Sequence, residues 1–344
     1  MANLIDEIVQ RSGMSRPTVK HVLGSRGHLY RESTRQRVLE AAEAVGYRRN
    51  GAAVAVSTGR FGAYGLLTSV HEPDAVLPFA VLWGMQQAMA DRDLHLTIGQ
   101  LPDAALTDPL RLPRVLREWS VDGLIVSYTD HHPRAMVDLM ARHAIPSVWV
   151  NVKRRYDCVH PDDLGAGRRA TEELLRAGHT RIGFASWWQV GHYSYADRFA
   201  GYAAAMTAAG LQPRDLRAGA AAVGDGEGDG DPATRAGYFH RLLTLTDRPT
   251  AFVTYGAGDV EALITTAYKL QLRVPQDVSL ICIDNVVPEG IVPIAALQLP
   301  GTALGQAAVA MLQAKVAAPA KRIRAQAIPA TYVAGETIAA PNDR

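Results

Sequence analysis

Residues 13–23 read Gly13-Met14-Ser15-Arg16-Pro17-Thr18-Val19-Lys20-His21-Val22-Leu23 and have the pattern of a short helix. Ser15 is a suitable N-cap, because its hydroxyl can accept a hydrogen bond from a backbone N–H of the next turn. Pro17 lies in that turn, where a missing N–H costs little. Helical spacing places Val19, Val22 and Leu23 on one side and the basic side chains on the other. The sequence therefore predicts a helix with one buried face and one basic face.

A second short helix precedes this stretch and a third one follows it. Four apolar residues between Leu4 and Val9 have helical spacing, and Gly13 is placed to turn the chain into the next helix. Two short helices joined by a glycine-containing turn are typical of a helix-turn-helix. Residues 34–47 then have the pattern of a third helix, which ends at Gly46. An ordinary amphipathic helical hairpin would have the same pattern. The third helix is what favours a helix-turn-helix domain over such a hairpin.

Charge is distributed unevenly along the 344 residues. Residues 1–60 hold ten Lys and Arg against five Asp and Glu, whereas the remainder holds 26 against 29. A basic head on a mildly acidic body is typical of a protein that contacts the phosphate backbone of a nucleic acid.

Length and composition indicate an ordinary globular chain of two or three domains. It is 48% hydrophobic and 20% charged, and it has two cysteines, Cys158 and Cys282, without C-x-x-C spacing. These cysteines are expected to be reduced core residues. The sequence contains no run of about 18 apolar residues, so no membrane-spanning helix is expected. The first residues lack the pattern of a signal peptide, and the protein is expected to be cytoplasmic.

From residue 61 onwards, short apolar runs alternate with longer amphipathic stretches. Such alternation predicts parallel sheets covered by helices on both faces, with more units than one sheet would hold. The expected strands are 64–67, 94–98, 123–126, 147–150, 181–185, 251–254 and 278–283. The expected helices are 76–90, 109–119, 135–143, 167–177, 198–209, 233–245, 260–270 and 304–316.

Nearly the whole chain resembles the lactose-repressor family of bacterial transcription regulators. The blocks that carry the resemblance are residues 13–23, 34–50, Pro78-Phe79-Ala80, Asp162-Asp163, 177–182, 198–202 and 274–279. The family implies an α/β protein with an N-terminal all-α helix-turn-helix head followed by a two-lobed periplasmic-binding-protein-like (type I) clamshell of parallel sheets. The expected parts are the head at 1–48, a hinge at 49–60 and a core at 61–344. Lobe 1 is expected at about 61–160 and 291–320, and lobe 2 at about 161–290 and 321–344.

The resemblance also implies a homodimer that binds operator DNA through the head and the hinge. The expected DNA contacts are Ser15, Arg16, Pro17, Thr18, Lys20, His21, Asn50, Ala53 and Val56. In the family the hinge folds as a helix that inserts a leucine into the minor groove. Val56 stands at that position and should unstack a base step less well, while Arg49 replaces a proline and adds a phosphate contact. A plain linker is the alternative, because Gly51 weakens any helix.

A small-molecule effector is expected between the lobes, because ligands of parallel sheets bind beyond the carboxyl ends of the strands. Hydroxyl, amide and carboxylate groups with aromatic rings suit a sugar. The expected contacts are Ser69, Phe79, Tyr128, Asn151, Trp187, Arg198, Tyr255 and Asp284. Arg198 and Asp284 match positions that hold the effector in sugar-responsive family members, and Arg198 could donate two parallel hydrogen bonds to hydroxyls or to a carboxylate. If each residue is considered alone, a purely structural role is as good an interpretation: Arg198 would be an arginine at the start of a helix, and Asp284 would be a cap at the end of a strand.

Several features depart from the family or compete with its chemistry. Gly256-Ala257 replaces a polar pair, for which Tyr255 or Asp259 could substitute. The aromatic segment 187–195 suggests an effector larger than a simple monosaccharide, or a glycoside. Residues 225–230 copy the opening of a calcium loop, but Ala236 stands where the chelating glutamate belongs, so an acidic loop is expected. Residues 130–132, Asp-His-His, are interpreted as a polar rim rather than a metal site.

The sequence therefore predicts a sequence-specific DNA-binding regulator, expected to be a repressor, that responds to a sugar-like effector and needs no cofactor. The alternative is a sugar-binding receptor or an enzyme that shares the clamshell. The basic helix-turn-helix and the missing export signal argue against a receptor. The missing nucleophile or metal set argues against an enzyme.

Overall fold

The computed structural model describes residues 4–24, 26–48, 55, 59–69, 77–101, 121–128, 134–187, 191–217, 234–285 and 292–342. The chain forms two compact units, one of residues 1–63 with 120–122 and one of residues 64–119 with 123–344. We call them the head and the core. The expected helix at 109–119 and the segments 130–132 and 225–230 lie outside the described residues.

The head contains three helices, α1 (Leu4–Ser12), α2 (Arg16–Leu23) and α3 (Glu32–Ala44), with a short 3-10 turn at Gly27–Leu29. The predicted start of α2 is confirmed, since the Ser15 hydroxyl accepts from the Thr18 backbone N–H at 3.3 Å. Gly13 turns the chain between α1 and α2 with a φ of +67°, a conformation that favours glycine. The three helices share a small apolar core: Ile8, Val19, Val22, Val38, Ala41 and Ala42. Leu39 of α3 lies outside this core and is 45% exposed.

The core contains two six-stranded sheets, each covered by helices. The first sheet has the order β11-β5-β4-β3-β1-β2, and the second has the order β12-β10-β9-β8-β6-β7. The first comprises β1 (Ala63–Ser69), β2 (His95–Leu101), β3 (Gly123–Ser127), β4 (Ser147–Val150), β5 (Cys158–Pro161) and β11 (Gln326–Ile328). The second comprises β6 (Ile182–Ser186), β7 (Arg214–Arg217), β8 (Ala251–Thr254), β9 (Ser279–Asp284), β10 (Ala296–Gln298) and β12 (Thr331–Val333). We call the two layers built on these sheets lobe 1 and lobe 2.

The pairings with a described register are parallel in both sheets except between β10 and β12. The seven core helices are α4 (Phe79–Ala90), α5 (Arg134–Arg142), α6 (Asp163–Arg176), α7 (Tyr193–Ala208), α8 (Arg235–Thr244), α9 (Ala257–Lys269) and α10 (Gly301–Ala317) among the described residues. The predicted alternation of strand and helix is confirmed in the described residues. Four helices start three or more residues earlier than expected: α6 at Asp163, α7 at Tyr193, α9 at Ala257 and α10 at Gly301.

The strand order moves two of the expected crossings between lobes. Because β10 pairs with β9 in the second sheet, the chain passes to lobe 1 after Gln298 rather than near residue 290. Because β11 pairs with β5 in the first sheet, the last crossing follows Ile328 rather than residue 320. The first crossing, after Pro161, lies where the sequence placed it.

Each lobe holds one pair of helices in close contact through glycines. A Cβ on Gly84 of α4 would collide with the Thr302 carbonyl of α10, and one on Gly305 would collide with the Val81 carbonyl. In lobe 2, Gly167 of α6 faces the carbonyl of Arg198 in the same way. A Cβ on Gly201 of α7 would likewise meet the carbonyl of Leu164. These contacts fix the position of α7, whose first turns carry Ser194 and Arg198.

Both cysteines are buried and free, as predicted. In the described part of the chain, no helix combines the length and the apolar character needed to cross a membrane.

Candidate functional site

In the head, the N-terminal half of α2 presents a polar surface. Arg16, Pro17 and Lys20 are exposed, while Val19 and Val22 are buried against the other helices. Arg16 forms an ion pair with Asp6 of α1 at 3.0 Å, and each side chain is about half exposed. The hydroxyl groups of Ser15 and Thr18 are hydrogen-bonded to each other at 2.8 Å, so both side chains belong to the cap of α2. The basic face predicted for α2 is thus present.

His21 is less free than the sequence indicated. Its Nδ1 lies 2.8 Å from the hydroxyl oxygen of Tyr30, and the ring is half-buried. This hydrogen bond attaches α2 to the segment that follows the 3-10 turn. Only Nε2 is then left for an outside partner. Asn50, Ala53 and Val56, the expected hinge contacts, lie outside the described residues.

In the core, a cavity of about 150 Å³ lies between the two lobes. Its polar lining combines Asn151, which follows β4 of lobe 1, with side chains of lobe 2. Those lobe 2 residues are His192, Ser194, Arg198, Tyr255, Asp284 and Asn285. Apolar contacts come from Pro78, Val81, Leu299 and Leu304. Four of the eight predicted effector contacts are therefore gathered in one place: Asn151, Arg198, Tyr255 and Asp284.

Arg198 is buried, and three of its hydrogen bonds are donated to groups of lobe 2. Its Nε donates to Asp163 Oδ1 at 2.8 Å, and its Nη1 donates to the carbonyls of Ile283 at 2.9 Å and Tyr255 at 2.5 Å. Burial acts to lower the pKa of Arg198, but the neighbouring carboxylate of Asp163 raises it above its ordinary value. The guanidinium thus stays charged, and Asp163 compensates that charge. The sequence suggested that Arg198 donates two parallel hydrogen bonds to the effector. In the structure, its Nη1 instead donates to backbone carbonyls at the ends of two strands.

Asp284 caps a helix from a neighbouring strand. Its Oδ2 accepts from the backbone N–H of Ala257, the first residue of α9, at 2.7 Å. Its Oδ1 accepts from the N–H of Asn285 at 2.5 Å. A negative charge at a helix N-terminus is favoured by the helix dipole. Asp284 is therefore both a strand-end cap and a cavity residue, and its partners here are backbone groups rather than a cation.

A chain of hydrogen bonds runs along the cavity from lobe 2 to lobe 1. The Tyr255 hydroxyl lies 2.7 Å from Ser194 Oγ, and Ser194 Oγ lies 2.7 Å from His192 Nδ1. His192 Nε2 then reaches the backbone carbonyl of Asn151 at 2.8 Å. Close to this chain, Lys153 of lobe 1 forms an ion pair with Asp197 of α7 at 2.5 Å. Neither His192 nor Ser194 was predicted in the site, because the helix was expected to start at residue 198.

The remaining four predicted contacts are not among the cavity residues. Ser69 and Tyr128 are buried in lobe 1. Trp187 packs against Tyr238, with ring centroids 5.7 Å apart. Phe79 is 74% exposed and stacks on Trp83 at 6.2 Å. A position at the end of a strand or the start of a helix does not determine which way the side chain points.

Asp259, named as a substitute for the lost polar pair, is buried and absent from the cavity lining. Its Oδ1 accepts from the Trp187 N–H at 3.4 Å, and its Oδ2 has no partner among the described residues. Burial raises the pKa of this carboxyl from 3.8 to about 7. Tyr255, the other substitute, does line the cavity. Within the described ranges, no group of three or more His, Cys, Asp or Glu residues could hold a metal ion.

The chain is similar to known proteins over almost its full length. Residues 171–338 match the family model described as a periplasmic binding protein-like domain. The "HTH-type transcriptional repressor PurR" of Photobacterium profundum is 26% identical over 323 residues, which are 91% of each chain. The "HTH-type transcriptional regulator AglR" of Rhizobium meliloti is 26% identical over 292 residues, 83% of this chain and 78% of that protein.

Among solved structures, the lac repressor dimer bound to operator and the anti-inducer ONPF has the same fold. It has a TM-score of 0.76 at 20% identity, covering 98% of this chain and 99% of that one. The complex of the regulator CelR with cellobiose has a TM-score of 0.61 at 18% identity, covering 97% and 99%. These relatives are regulators rather than enzymes. The helix-turn-helix head, the two-lobed core and the sequence similarity over 91% of the chain agree, and together they make the chain similar to transcription regulators of the lactose-repressor type.

Proposed function

We propose that this protein is a homodimeric, sequence-specific DNA-binding repressor whose affinity for an operator is set by a small molecule bound between the two lobes. One observation carries the proposal. The same chain combines a helix-turn-helix head that exposes the basic face of α2 with a core cavity on which the polar groups of both lobes converge. A receptor or an enzyme would need only the second feature. Acting on chromosomal DNA, the protein would work in the cytoplasm.

DNA recognition is assigned to the start of α2. In helix-turn-helix proteins the N-terminal residues of the second helix meet base edges in the major groove. Arg16, Pro17 and the free edge of His21 would face the bases, and Lys20 would lie nearer the backbone. Asn50, Ala53 and Val56 are proposed as hinge contacts in the minor groove on the basis of sequence alone. The similarity in fold to a lac repressor dimer bound to operator supports this arrangement.

The effector is proposed to be an uncharged polyhydroxy compound with one ring. A cavity of about 150 Å³ has room for a single six-membered ring. Arg198 is already paired with Asp163, and the partners of Asp284 among the described residues are backbone N–H groups, so the carboxylate of Asp284 would repel an anionic effector. A hydroxyl donating to Asp284 avoids that repulsion. The larger or glycosidic effector expected from sequence would require a wider opening than this.

The dimer contact is proposed to include the outer face of α4. Phe79 and Trp83 are 74% and 47% exposed there and stack on each other, and Ile98 of β2 is 56% exposed. Three large apolar side chains exposed on one lobe favour burial against a second copy. The lac repressor, which is similar in fold, was solved as a dimer, and this supports a dimer here as well.

The test is a binding experiment with two separate arms. Fluorescence anisotropy at moderate salt would measure binding to DNA taken from beside the protein's own gene, against a scrambled duplex. A thermal-shift panel of neutral sugars, amino sugars, sugar acids and sugar phosphates would identify the effector. A ligand at a hundredfold its dissociation constant adds about 2.7 kcal/mol to stability. Ligand binding without any preference for the native DNA would favour the receptor or enzyme instead.

A further inference from the structure

We propose that His192 is the positioning residue that closes the cleft, because its ring holds the start of α7 in lobe 2 and the backbone of Asn151 in lobe 1 at the same time. This inference deepens the proposed function and rests on it for its biological meaning. Its physical content, that the lobes are held together through the Nε2 of one imidazole, can be tested without DNA or effector.

The Nδ1 atom of His192 caps the start of α7. His192 precedes α7 with extended backbone angles, φ −73° and ψ 140°, and is its N-cap. Its Nδ1 accepts from the Ser194 N–H at 3.4 Å and lies 2.7 Å from the Ser194 hydroxyl. An N-cap side chain satisfies an N–H of the first turn that has no partner within the helix. Because a backbone N–H can only donate, Nδ1 must be the unprotonated nitrogen.

The Nε2 atom of His192 makes the contact with lobe 1. Its partner, the Asn151 carbonyl at 2.8 Å, can only accept, so Nε2 must carry the proton. The two contacts together define a neutral ring in a single tautomer. The Ser194 hydroxyl then donates to Nδ1 and accepts from the Tyr255 hydroxyl at 2.7 Å. The hydrogens of the whole chain therefore point one way, from Tyr255 in lobe 2 towards lobe 1, and such chains strengthen cooperatively.

Asn151 is shaped to receive this bond. Its φ is +58°, in the left-handed region that asparagine tolerates better than most residues. Its backbone carbonyl accepts from His192, while Asn151 itself also lines the cavity. In this conformation Asn151 directs its backbone carbonyl to His192, a contact that we call the His192 bridge, while the residue also faces the cavity.

An ion pair that also joins the two lobes is the weaker of these polar contacts. Lys153 and Asp197 are paired at 2.5 Å, but the lysine side chain is 48% exposed. Exposed ion pairs contribute little to stability, because water screens the two charges and the long side chains lose freedom when they pair. The His192 bridge, in contrast, lies against the cavity and is formed by groups that the ligand would touch. We therefore place the closing contact at His192, and treat Lys153 as an accessory.

Closure through His192 has a direct consequence for affinity. The bridge, the hydroxyls of Ser194 and Tyr255, and the side chain of Asn151 surround the same cavity. A protein whose binding-competent form is only partly populated binds its ligand more weakly, in proportion to that population. Loss of the bridge should thus open the lobes and weaken the binding of any compound that fills this cavity.

Two matched variants separate the bridge from the helix cap. His192→Asn retains an acceptor near the position of Nδ1 but has no atom that reaches Asn151. His192→Gln places an amide nitrogen near the position of Nε2 but loses the cap acceptor. Lys153→Ala removes the accessory ion pair. Spin labels on Arg142→Cys in lobe 1 and Thr207→Cys in lobe 2, both at exposed positions, report the interlobe distance. The two native cysteines are fully buried and should not be labelled.

The measurement is a pulsed electron-electron resonance distance distribution of the full chain, with labelled chains diluted into unlabelled ones. We expect His192→Asn to shift and broaden the distribution towards longer distances, and His192→Gln to keep the parent distribution while lowering the melting temperature. An unchanged distribution in His192→Asn would overturn the proposal. The same shift in both variants would also overturn it, because the ring rather than Nε2 would then be responsible. Failure of operator binding in the parent would refute the proposed function and leave this result standing.

Discussion

Arg16 has a partner before any DNA arrives. It is paired with Asp6 at 3.0 Å on an exposed surface, and such pairs contribute only about 0–1 kcal/mol, so the guanidinium can exchange Asp6 for a base at little cost. We expect Arg16→Ala to weaken operator binding by about 1–3 kcal/mol and to relax preference at one base pair. Fluorescence anisotropy over a set of single-substitution operators would measure both effects.

The control for this prediction is Arg11→Ala. Arg11 is an exposed arginine of α1 that is paired with Glu7, so its loss removes the same charge from the head. That variant should weaken binding to all duplexes about equally. The same uniform loss in Arg16→Ala would make Arg16 a phosphate contact and contradict the assignment.

Asp259 should make the stability of the protein depend on pH near neutrality. Burial raises its pKa from 3.8 to about 7, so the native state holds the proton more tightly than the unfolded chain does. The free energy of unfolding should therefore fall as the pH rises from about 4 to about 7, and level off above that. Asp259→Asn should lose less stability than the parent between about pH 5 and pH 8, as measured by urea unfolding.

The control is Asp277, whose pKa is lowered by its hydrogen bonds to Arg273. Its stabilising effect is lost only as the pH falls below about 4. Asp277→Asn should therefore leave the slope between about pH 5 and pH 8 as it is in the parent. An unchanged slope in Asp259→Asn would mean that this carboxyl is ionised throughout that range.

At the level of single residues, the sequence identified which side chains carry polar chemistry but not where each one points. Asn151, Tyr255 and Asp284 follow strands and do line the cavity, whereas Ser69, Tyr128 and Trp187 follow strands and do not. The difference depends on the twist and packing of each strand end. His192 was missed for another reason, since a cap is recognised only when the helix start is placed correctly.

At the scale of secondary-structure elements, the glycines between α6 and α7 allow the two helices to approach closely. A Cβ on Gly201 would collide with the Leu164 carbonyl, which cannot move without shifting α6. We expect Gly201→Ala to destabilise the protein by about 1–3 kcal/mol, the usual cost of overpacking. The change should also disturb Arg198 and Asp163, because these residues lie on the two helices concerned. Thermal unfolding would measure the loss.

A larger side chain at an exposed position of α7 provides the control. Ala204 is exposed, so Ala204→Leu should leave the melting temperature close to that of the parent. If Gly201→Ala were equally harmless, the two helices would not be as closely packed as the backbone positions imply.

The start of α9 shows why some contacts between elements cannot be predicted from local sequence. Gly256, at the N-cap, has no side chain to cap the helix. The carboxylate of Asp284 performs this role from the end of β9, 27 residues further along the chain. Helix-cap rules apply to nearby residues and do not anticipate a distant donor or acceptor. Asp284 thus connects the cavity to α9, so a ligand that binds this carboxylate also affects the cap of the helix.

At the scale of the whole molecule, the alternation of strands and helices predicted the two lobes, and the blocks shared with the family predicted their order. The positions where the chain crosses between lobes were predicted less well. Strands β10, β11 and β12 have only three residues each, too few to show a periodic pattern. Their membership of one sheet or the other is decided by pairing, of β10 with β9, of β12 with β10 and of β11 with β5, which no local pattern reveals.

The hinge allows a prediction that rests on sequence alone. Val56 stands where the family has a leucine, and a longer side chain should unstack a base step more effectively. We expect Val56→Leu to tighten operator binding without changing effector affinity of the free protein. Parallel titrations with operator and with the sugar identified by the panel would check this. Unchanged operator affinity would favour the plain linker.

Asp284 connects the cavity to the response of the whole protein. If effector and operator are coupled, each must change the affinity of the other by the same factor, and typical couplings are about 1–3 kcal/mol. We expect Asp284→Asn to reduce that factor to about one, because the amide removes the acceptor charge that a hydroxyl of the effector would meet. The amide oxygen can still accept from the Ala257 N–H, so α9 should remain capped, and the melting temperature would verify this.

The decisive experiment measures operator affinity with and without the identified sugar, and sugar affinity with and without operator, for the parent and for Asp284→Asn. In the parent the two ratios must agree within error. In the variant we expect both ratios to approach one, while operator affinity without sugar stays at the parent value, because Asp284 belongs to the core and not to the head. A variant that still responds fully to the same sugar would place the effector elsewhere and remove this cavity from the mechanism.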